Sequence, residues 1–288
     1  MNHAAPPLFT RTGPAIPTRP VIISVPHAGR YYPPEIHQNA RVPLGVLEQL
    51  EDRFADTLCV GAAAAGFSTI TANMARAVID LNRGEDEWDA LLIADAPLPP
   101  VAHSAAGVAN RIRAGLGLVP RRLHPYGDLW RERMRYTELI ARIENIHQPW
   151  HRAIAAMLAA TQSRFGSAIL IDLHSMPKQG EGGAQFVVGD RHGVTASPIL
   201  VERLVAAGQG AGLRAARNAP YAGAFSISCH ARPSSGIEAV QIEIDRSLYL
   251  DATGHPDVQR INTVIDLVTR LAEIAEANIL TDFAAAAE

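Results

Sequence analysis

Short β-branched apolar runs alternate along this chain with longer segments whose apolar residues recur at helical spacing. The clearest runs are Val21–Val25, Ala168–Leu173 and Ala239–Ile244, and helical patterns cover Leu44–Ala65 and Tyr136–Arg164. Short apolar runs of this kind are typical of strands that are buried on both faces of a sheet. Their alternation with helices predicts an α/β fold, a three-layer α/β/α architecture with a central mixed sheet.

The domain organisation follows from the absence of an internal repeat or a clear linker in the 288 residues. We therefore predict an N-terminal arm over 1–19 and a single domain over 20–288. The stretch Arg83–Pro125 is rich in Pro, Gly and Ala. Because irregular segments of this length are usually functional or mobile, we predict that it is an insertion over the active-site edge.

Charge and cysteine content limit the partners of the protein. A formal net charge of -3 gives no global basic field for nucleic acid or an anionic membrane. Two cysteines, Cys59 and Cys229, suit a reducing compartment, and no apolar run approaches the roughly 20 residues of a membrane helix. We predict a cytoplasmic protein with no nucleic-acid or membrane partner, and the sequence leaves its oligomeric state open.

Two histidines stand at the ends of predicted strands that are far apart in the chain. His27 follows the run Val21–Val25, and His174 follows Ala168–Leu173. Because residues just past strand carboxyl ends line the ligand crevice of an α/β sheet, both are candidate metal ligands. Asp172 lies on the same strand face as His174 and is placed to orient it. The alternative for either histidine alone is a structural cap on a strand end.

A third metal ligand is harder to assign, since the sequence contains neither His-x-x-Glu nor His-Glu-x-x-His. A catalytic zinc ion normally takes three protein ligands. Glu51 and Asp52 are candidate acids, and Asp52 is preferred, although spacing alone favours an ordinary solvated helix acid. His147 and His151 have the spacing of a helical metal pair, but Pro149 is predicted to separate them, with one site-facing histidine at most.

Candidate anion-binding residues follow another apolar run, Ala77–Leu81, which we predict to be a strand. Asn82 and Arg83 end it, and the planar donor fork of arginine matches a carboxylate. Arg76 offers a second positive group at the same edge. An internal salt bridge from Arg83 to a nearby aspartate, Asp80 or Asp86, explains the pattern equally well.

An acidic residue lies within the last predicted strand. Strand alternation puts Gln241, Glu243 and Asp245 on one face. A carboxylate deep in such a strand is costly unless it has a partner or a chemical role. Glu243 is therefore a candidate general base that passes a proton to a leaving amine, and pairing with a neighbouring arginine is the alternative.

Taken in series, these motifs resemble those of the N-formylglutamate amidohydrolase (deformylase) family. The resemblance extends from about residue 20 to 250 and rests on Ser24–Gly29, the Asp52 region, Arg76 with Asp80–Arg83, Pro149–His151, Asp172–Ser175 and Gln241–Ile244.

This resemblance implies a fold like the zinc carboxypeptidases and aspartoacylase-type deacylases. It also implies one Zn²⁺ per chain, held by His27, Asp52 and His174, and hydrolysis of an N-acyl amino acid. Asn82 and Arg83, with Arg76, would bind a substrate carboxylate, and Glu243 would be the general base.

The resulting hypothesis is zinc-dependent hydrolysis of N-formyl-L-glutamate to formate and L-glutamate, a reaction that the family places in histidine degradation. One alternative is a zinc deacylase or carboxypeptidase that acts on another N-acyl amino acid or peptide. Another is a non-catalytic dicarboxylate-binding protein on the same fold. The sequence leaves the acyl group open, together with the roles of three further residues, His151, Ser175 and His230.

Overall fold

The computed structural model describes residues 5–14, 16–97 and 106–286, with the backbone only at 106 and 280–286. Residues 1–4 and 15 of the predicted arm, and 98–105 of the predicted insertion, lie outside the described residues. The chain divides into two compact units. The first unit comprises Met1–Thr10, Pro26–Glu51 and Ala72–Arg152, and the second comprises Arg11–Val25, Asp52–Thr71 and Ala153–Glu288. The single domain over 20–288 stays a prediction.

Seven strands form one mixed sheet, which confirms the predicted α/β class. The strands are β1 (Phe9–Thr12), β2 (Val21–Val25), β3 (Ser68–Ala72), β6 (Ala168–Met176), β7 (Phe186–Gly189), β8 (Ala215–Arg217) and β9 (Ile237–Asp245), in the spatial order β1-β3-β2-β6-β9-β7-β8. β2 pairs in parallel with β3 and β6, β6 with β9, and β7 with β8, whereas β7 and β9 are antiparallel. β4 (Arg122–Leu123) and β5 (Gly127–Asp128) form a separate antiparallel pair.

The central strands carry several of the predicted site residues. Every residue of β2 and β6 is buried, as are the last seven residues of β9. In the parallel register, Asp172 lies between Ser24 and Gln241, and His174 lies beside Glu243. Because paired residues on neighbouring strands point to the same face, this register assembles one row of polar side chains in an apolar sheet.

Helices of the second unit flank the sheet. They are α3 (Val60–Ala64), most of α6 (Gln148–Phe165), α7 (Pro198–Gly210), α8 (Phe225–His230) and α9 (Ile261–Ala286). Helix α9 packs against α3, α7, β2 and β6, and α8 packs against β6 and β9. The buried residues of α9 recur at helical spacing, as Val264, Leu267, Val268 and Leu271 show. No helix in the described part of the chain has the length and apolarity that a membrane crossing needs.

The first unit is largely irregular, as predicted for Arg83–Pro125 where that stretch is described. Its helices are α1 (Pro34–Asn39), α2 (Leu44–Leu47), α4 (Ala106–Arg113), α5 (Tyr136–Arg142) and the first turn of α6. A π-helical turn over Ile143–His147 joins α5 to α6. The predicted helical stretch Tyr136–Arg164 is thus confirmed, and Pro149 is accommodated near the start of α6.

Two element predictions are wrong, and both errors involve functional candidates. The predicted helix Leu44–Ala65 is interrupted between α2 and α3, where Phe54 adopts φ 60°, a left-handed conformation that no continuous helix contains. Asp52 therefore lies in a turn. The predicted strand Ala77–Leu81 is a buried turn segment, because the Asp80 carboxylate accepts the Asn82 N–H at 2.9 Å and bends the backbone.

Two other boundaries also differ from prediction. His174 lies inside β6, which extends to Met176, whereas the sequence predicted it just past the strand. The predicted N-terminal arm contains strand β1. Short edge elements such as β1 and β8 carry too few apolar residues to produce a recognisable pattern.

Candidate functional site

In the second unit, His174 is held between two buried aspartates. Its Nε2 lies 2.9 Å from Asp172 Oδ2 and its Nδ1 lies 3.1 Å from Asp52 Oδ2. Asp172 precedes it by two residues in β6, and Asp52 comes from the turn between α2 and α3. The Ser24 hydroxyl of β2 donates to Asp172 Oδ1. Asp172 thus orients the imidazole through a contact that strand alternation predicts.

The electrostatics of this cluster favour positive charge. Burial by itself lowers the pKa of the His174 imidazole. The carboxylates of Asp172, Asp52 and Glu243 outweigh burial and raise that pKa well above its usual value. Carboxylates that stabilise a protonated imidazole in this way also favour other cations.

Glu243 lies beside His174 on the neighbouring strand β9. Its side chain is 7% exposed, and Gln241 Nε2–H donates to its Oε1 at 2.9 Å. The amide fixes one carboxylate oxygen and thereby the orientation of the group. Glu243 is therefore a buried, oriented carboxylate that interacts electrostatically with His174.

Arg246 also belongs to this cluster, although no role was predicted for it from the sequence. It follows β9 directly, and its Nη2 donates to Asp52 Oδ1 at 2.8 Å. Its Nε donates to Ser175 Oγ at 3.1 Å, so Ser175 is a hydrogen-bond partner of Arg246. In the sequence, the one feature that pointed to Arg246 was its position directly after the strand that carries Glu243. Its contact with Asp52, 194 residues away, depends on the tertiary fold.

In the first unit, Asp80 is the centre of a second buried cluster. Its Oδ1 lies 2.7 Å from His27 Nε2, and its Oδ2 accepts Arg76 Nε–H at 2.8 Å. Arg83 Nη2 is 3.8 Å from Oδ2. Arg83 also donates from Nε to the Leu116 carbonyl at 3.0 Å. Of the two arginines, Arg76 is therefore the closer partner of Asp80.

The charge balance of the Asp80 cluster is the reverse of that around His174. Burial by itself raises the pKa of the Asp80 carboxyl, but Arg76, Arg83 and His27 lower it well below its usual range. Burial also lowers the pKa of Arg83, and the neighbouring cations Arg76 and Arg111 lower it further. Burial is the largest of these effects, and the Asp80 carboxylate opposes it by raising the pKa. A further carboxylate near this buried guanidinium would stabilise its charge in the same way.

The predicted metal ligands meet the chemical requirements of a metal site. The predicted ligands are His27 in the first unit and Asp52 and His174 in the second. All three are buried, and two imidazoles with one carboxylate are donors that zinc accepts. Each histidine presents Nε2 to an aspartate, Asp80 or Asp172. Such carboxylates typically orient metal-binding histidines.

Comparison with known proteins identifies the family. Residues 19–250 match the model of the N-formylglutamate amidohydrolase family. The chain belongs to this family.

The relatives of the chain align with most of its length. It is 29% identical to the N-formylglutamate deformylases of Pseudomonas aeruginosa and Pseudomonas putida over an alignment of 245 positions, which covers 81% of this chain and 82% and 83% of theirs. The crystal structure of an N-formylglutamate amidohydrolase from Ralstonia eutropha JMP134 is similar with a TM-score of 0.81 and 28% identity, covering 94% of this chain and 99% of that one. A protein of Agrobacterium tumefaciens shares the fold, with a TM-score of 0.69 and 16% identity over 96% of this chain and 94% of its own.

Membership of the N-formylglutamate amidohydrolase family confirms the sequence resemblance and identifies the chain as a hydrolase of amide bonds. Within the second unit, the structure brings Asp52, His174 and Glu243 together. Within the first, it brings His27, Arg76 and Arg83 to Asp80, with Asn82 next in sequence to Arg83. The individual roles of these residues are proposals.

Proposed function

We propose that this protein hydrolyses N-formyl-L-glutamate to formate and L-glutamate, using one Zn²⁺ per chain bound by His27, Asp52 and His174. The observation that carries the reaction is the family match over residues 19–250, together with deformylase relatives that align with most of the chain. The substrate is accordingly a small N-acyl amino acid.

The proposed zinc site is supported by its donor set and by the carboxylates behind it. Zinc supplies Lewis acidity, which polarises a carbonyl group and acidifies water. Asp172 and Asp80 contact the Nε2 atoms of His174 and His27 at 2.9 and 2.7 Å. These aspartates fix the ring orientations and make the imidazoles more basic ligands. Arg246 holds the other oxygen of Asp52 and so orients the third ligand.

Glu243 is the proposed general base. It takes a proton from the attacking water and gives it to the amine of glutamate as the amide bond breaks. Its burial and the hydrogen bond from Gln241 support this role, because a base must be oriented before the proton moves. Its position beside His174 in the register keeps it next to a proposed ligand.

Arg76, Asn82 and Arg83 are the proposed ligands of a substrate carboxylate. Support comes from Arg76 and Arg83, two guanidiniums that share the buried carboxylate Asp80. An arginine and a carboxylate form charge-assisted, often bidentate, hydrogen bonds. The same cluster therefore serves two purposes, since Asp80 orients His27 and also holds Arg76 in place.

The first experiment is to measure glutamate release from N-formyl-L-glutamate by zinc-loaded protein, with the metal content determined in parallel. We expect turnover that a chelator abolishes and added zinc restores. Protein that holds one zinc and has no such turnover would redirect the search to other N-acyl amino acids or peptides. Protein with neither zinc nor turnover, yet with affinity for dicarboxylates, would contradict the enzyme proposal. Cytoplasmic location and a place in histidine degradation stay predictions.

A further inference from the structure

The backbone around Asn82 follows no helix or strand, yet three successive carbonyls there accept hydrogen bonds from side chains. His151 Nε2–H donates to the carbonyl of Leu81 at 3.0 Å. Arg83 Nη1–H donates to the carbonyl of Asn82 at 2.8 Å. His147 Nε2–H donates to the carbonyl of Arg83 at 2.8 Å. Side chains thus replace the donors that a sheet or helix would supply to buried backbone.

Both histidines come from one helical stretch, and its irregularity explains how they reach the same segment. His147 ends the π-helical turn, and Pro149 follows at the second position of α6. Proline lacks an N–H, and its ring crowds the carbonyl four residues earlier, which a wider π turn relieves. The two rings are in tilted contact, with their centroids 4.4 Å apart and an angle of 51° between their planes. Both side chains are buried, with 1% and 8% exposed.

We propose that His147 and His151 are positioning residues that hold the Leu81–Arg83 backbone so that Asn82 and Arg83 meet the carboxylate of the substrate. This inference rests on the proposed function, in which that pair binds the carboxylate of an N-acyl amino acid. From the sequence, Pro149 was predicted to separate the two histidines and so prevent them from forming a metal pair. The contacts in the structure indicate instead that both histidines hold the Leu81–Arg83 backbone.

The backbone of the pair is fixed from both sides. Asp80 accepts the Asn82 N–H at 2.9 Å and so holds the amide side. The histidines hold the carbonyls on either side of Asn82. Because a bidentate arginine–carboxylate contact loses strength with small displacements, anchoring this otherwise irregular segment bears directly on substrate affinity.

The test compares variants that remove the donor with variants that keep it. His147→Leu and His151→Leu fill the space without an N–H, whereas His147→Gln and His151→Gln keep a donor near the position of Nε2. For the zinc-loaded full chain, we measure KM and kcat with N-formyl-L-glutamate, zinc content, and L-glutamate binding by calorimetry. We expect each Leu variant to raise KM about tenfold, the order expected for one lost buried hydrogen bond. Its kcat should stay within about twofold, and the Gln variants should resemble wild type.

A double-mutant cycle separates positioning from general stability. If His147 acts through Arg83, then combining His147→Leu with Arg83→Lys changes KM by less than the product of the single effects. A purely structural role predicts a lower Tm with KM unchanged in the Leu variants, and that result would overturn the inference. If a Leu variant does not fold, the shorter His147→Asn and His151→Asn variants are measured in the same way.

Failure of the proposed function is distinguishable from failure of this inference. Wild-type protein that binds L-glutamate without hydrolysing the formyl compound contradicts the reaction alone. In that case weaker L-glutamate binding by the Leu variants supports positioning, and unchanged binding overturns it. Wild-type protein that neither turns over the substrate nor binds L-glutamate contradicts both.

Discussion

Two buried clusters of this protein use the same kinds of side chain in opposite proportions. In the second unit, the His174 imidazole has Asp172 and Asp52 as direct partners and Glu243 in its electrostatic surroundings. In the first, Asp80 is surrounded by two guanidiniums and an imidazole. The carboxylates of the second unit raise the pKa of His174, and the cations of the first unit lower the pKa of Asp80.

This difference separates two kinds of ligand. Excess carboxylate in a buried cluster stabilises a cation, and excess guanidinium stabilises an anion. A metal ion therefore suits the carboxylates around His174, and a substrate carboxylate suits the arginines around Asp80. A histidine–aspartate contact alone, which both clusters contain, does not distinguish the two.

The largest effect is expected from Glu243→Gln, which removes the proposed base from the carboxylate-rich cluster. We expect kcat to fall about 10²–10⁴-fold, the usual contribution of general acid–base catalysis, while zinc content and Tm stay near wild type. Steady-state kinetics with metal analysis checks this. The matched control is Glu238→Gln on the same strand, whose carboxylate bonds Ser197 and should leave kcat unchanged. Normal turnover in Glu243→Gln would remove the base assignment.

Asp80→Asn is the next largest change and tests the arginine-rich cluster. Loss of this charge leaves Arg76 and Arg83 without their carboxylate, so the free energy of unfolding of metal-free protein should fall by about 3 kcal/mol. Since the folded pKa of Asp80 is lowered, its contribution is present above the unfolded carboxyl pKa of about 4 and is lost as pH falls. Denaturant titrations at several values between about pH 3 and pH 7 measure the difference in the free energy of unfolding between Asp80→Asn and wild type.

That difference should be largest above about pH 4 and shrink on acidification. Asp128→Asn is the control, because Asp128 pairs with Arg121 while about half exposed and should contribute little. A difference that does not vary with pH would contradict the ionised state of Asp80.

His174→Gln should show the opposite pH dependence in metal-free protein. The folded pKa of His174 is raised, so the protonated imidazole stabilises the fold fully below its unfolded pKa of about 6.5. This stability is lost as pH rises through the folded pKa. We expect a loss of about 2 kcal/mol at pH near 6, shrinking under alkaline conditions. The same slope for His174→Gln and Asp80→Asn would break the contrast between the clusters.

The sequence predicted the strands that carry these clusters better than it predicted the turns between them. β2, β6 and β9 are rich in β-branched and other apolar residues, and almost every position in them is buried, which leaves few alternatives to a central strand. The segment Ala77–Leu81 has the same apolar character but bends, because Asp80 bonds the Asn82 N–H. Apolar content reports burial and does not distinguish a strand from a buried turn.

The site was less predictable where function depends on distant contacts. Asp52 was identified by family resemblance, while its helical pattern concealed the turn at Phe54. Arg246 and the hydrogen bonds of His147 and His151 involve partners 64 or more residues away. Pro149 indicated a break between the histidines, and the π-helical turn instead keeps both on the same backbone segment.

Ser24→Ala is expected to have the smallest effect, because it removes a neutral donor from the carboxylate-rich cluster. Ser24 is fully buried and its hydroxyl donates to Asp172, so we expect the free energy of unfolding to fall by about 1 kcal/mol. Because the substitution removes no charge, this decrease in the free energy of unfolding should be nearly constant between about pH 5 and pH 8. Ser228→Ala, an exposed site, should change stability by less than about 0.5 kcal/mol. A strongly pH-dependent loss in Ser24→Ala would mean that the hydroxyl controls the charge on Asp172 or His174, and that the cluster depends on neutral donors as well as on its carboxylates.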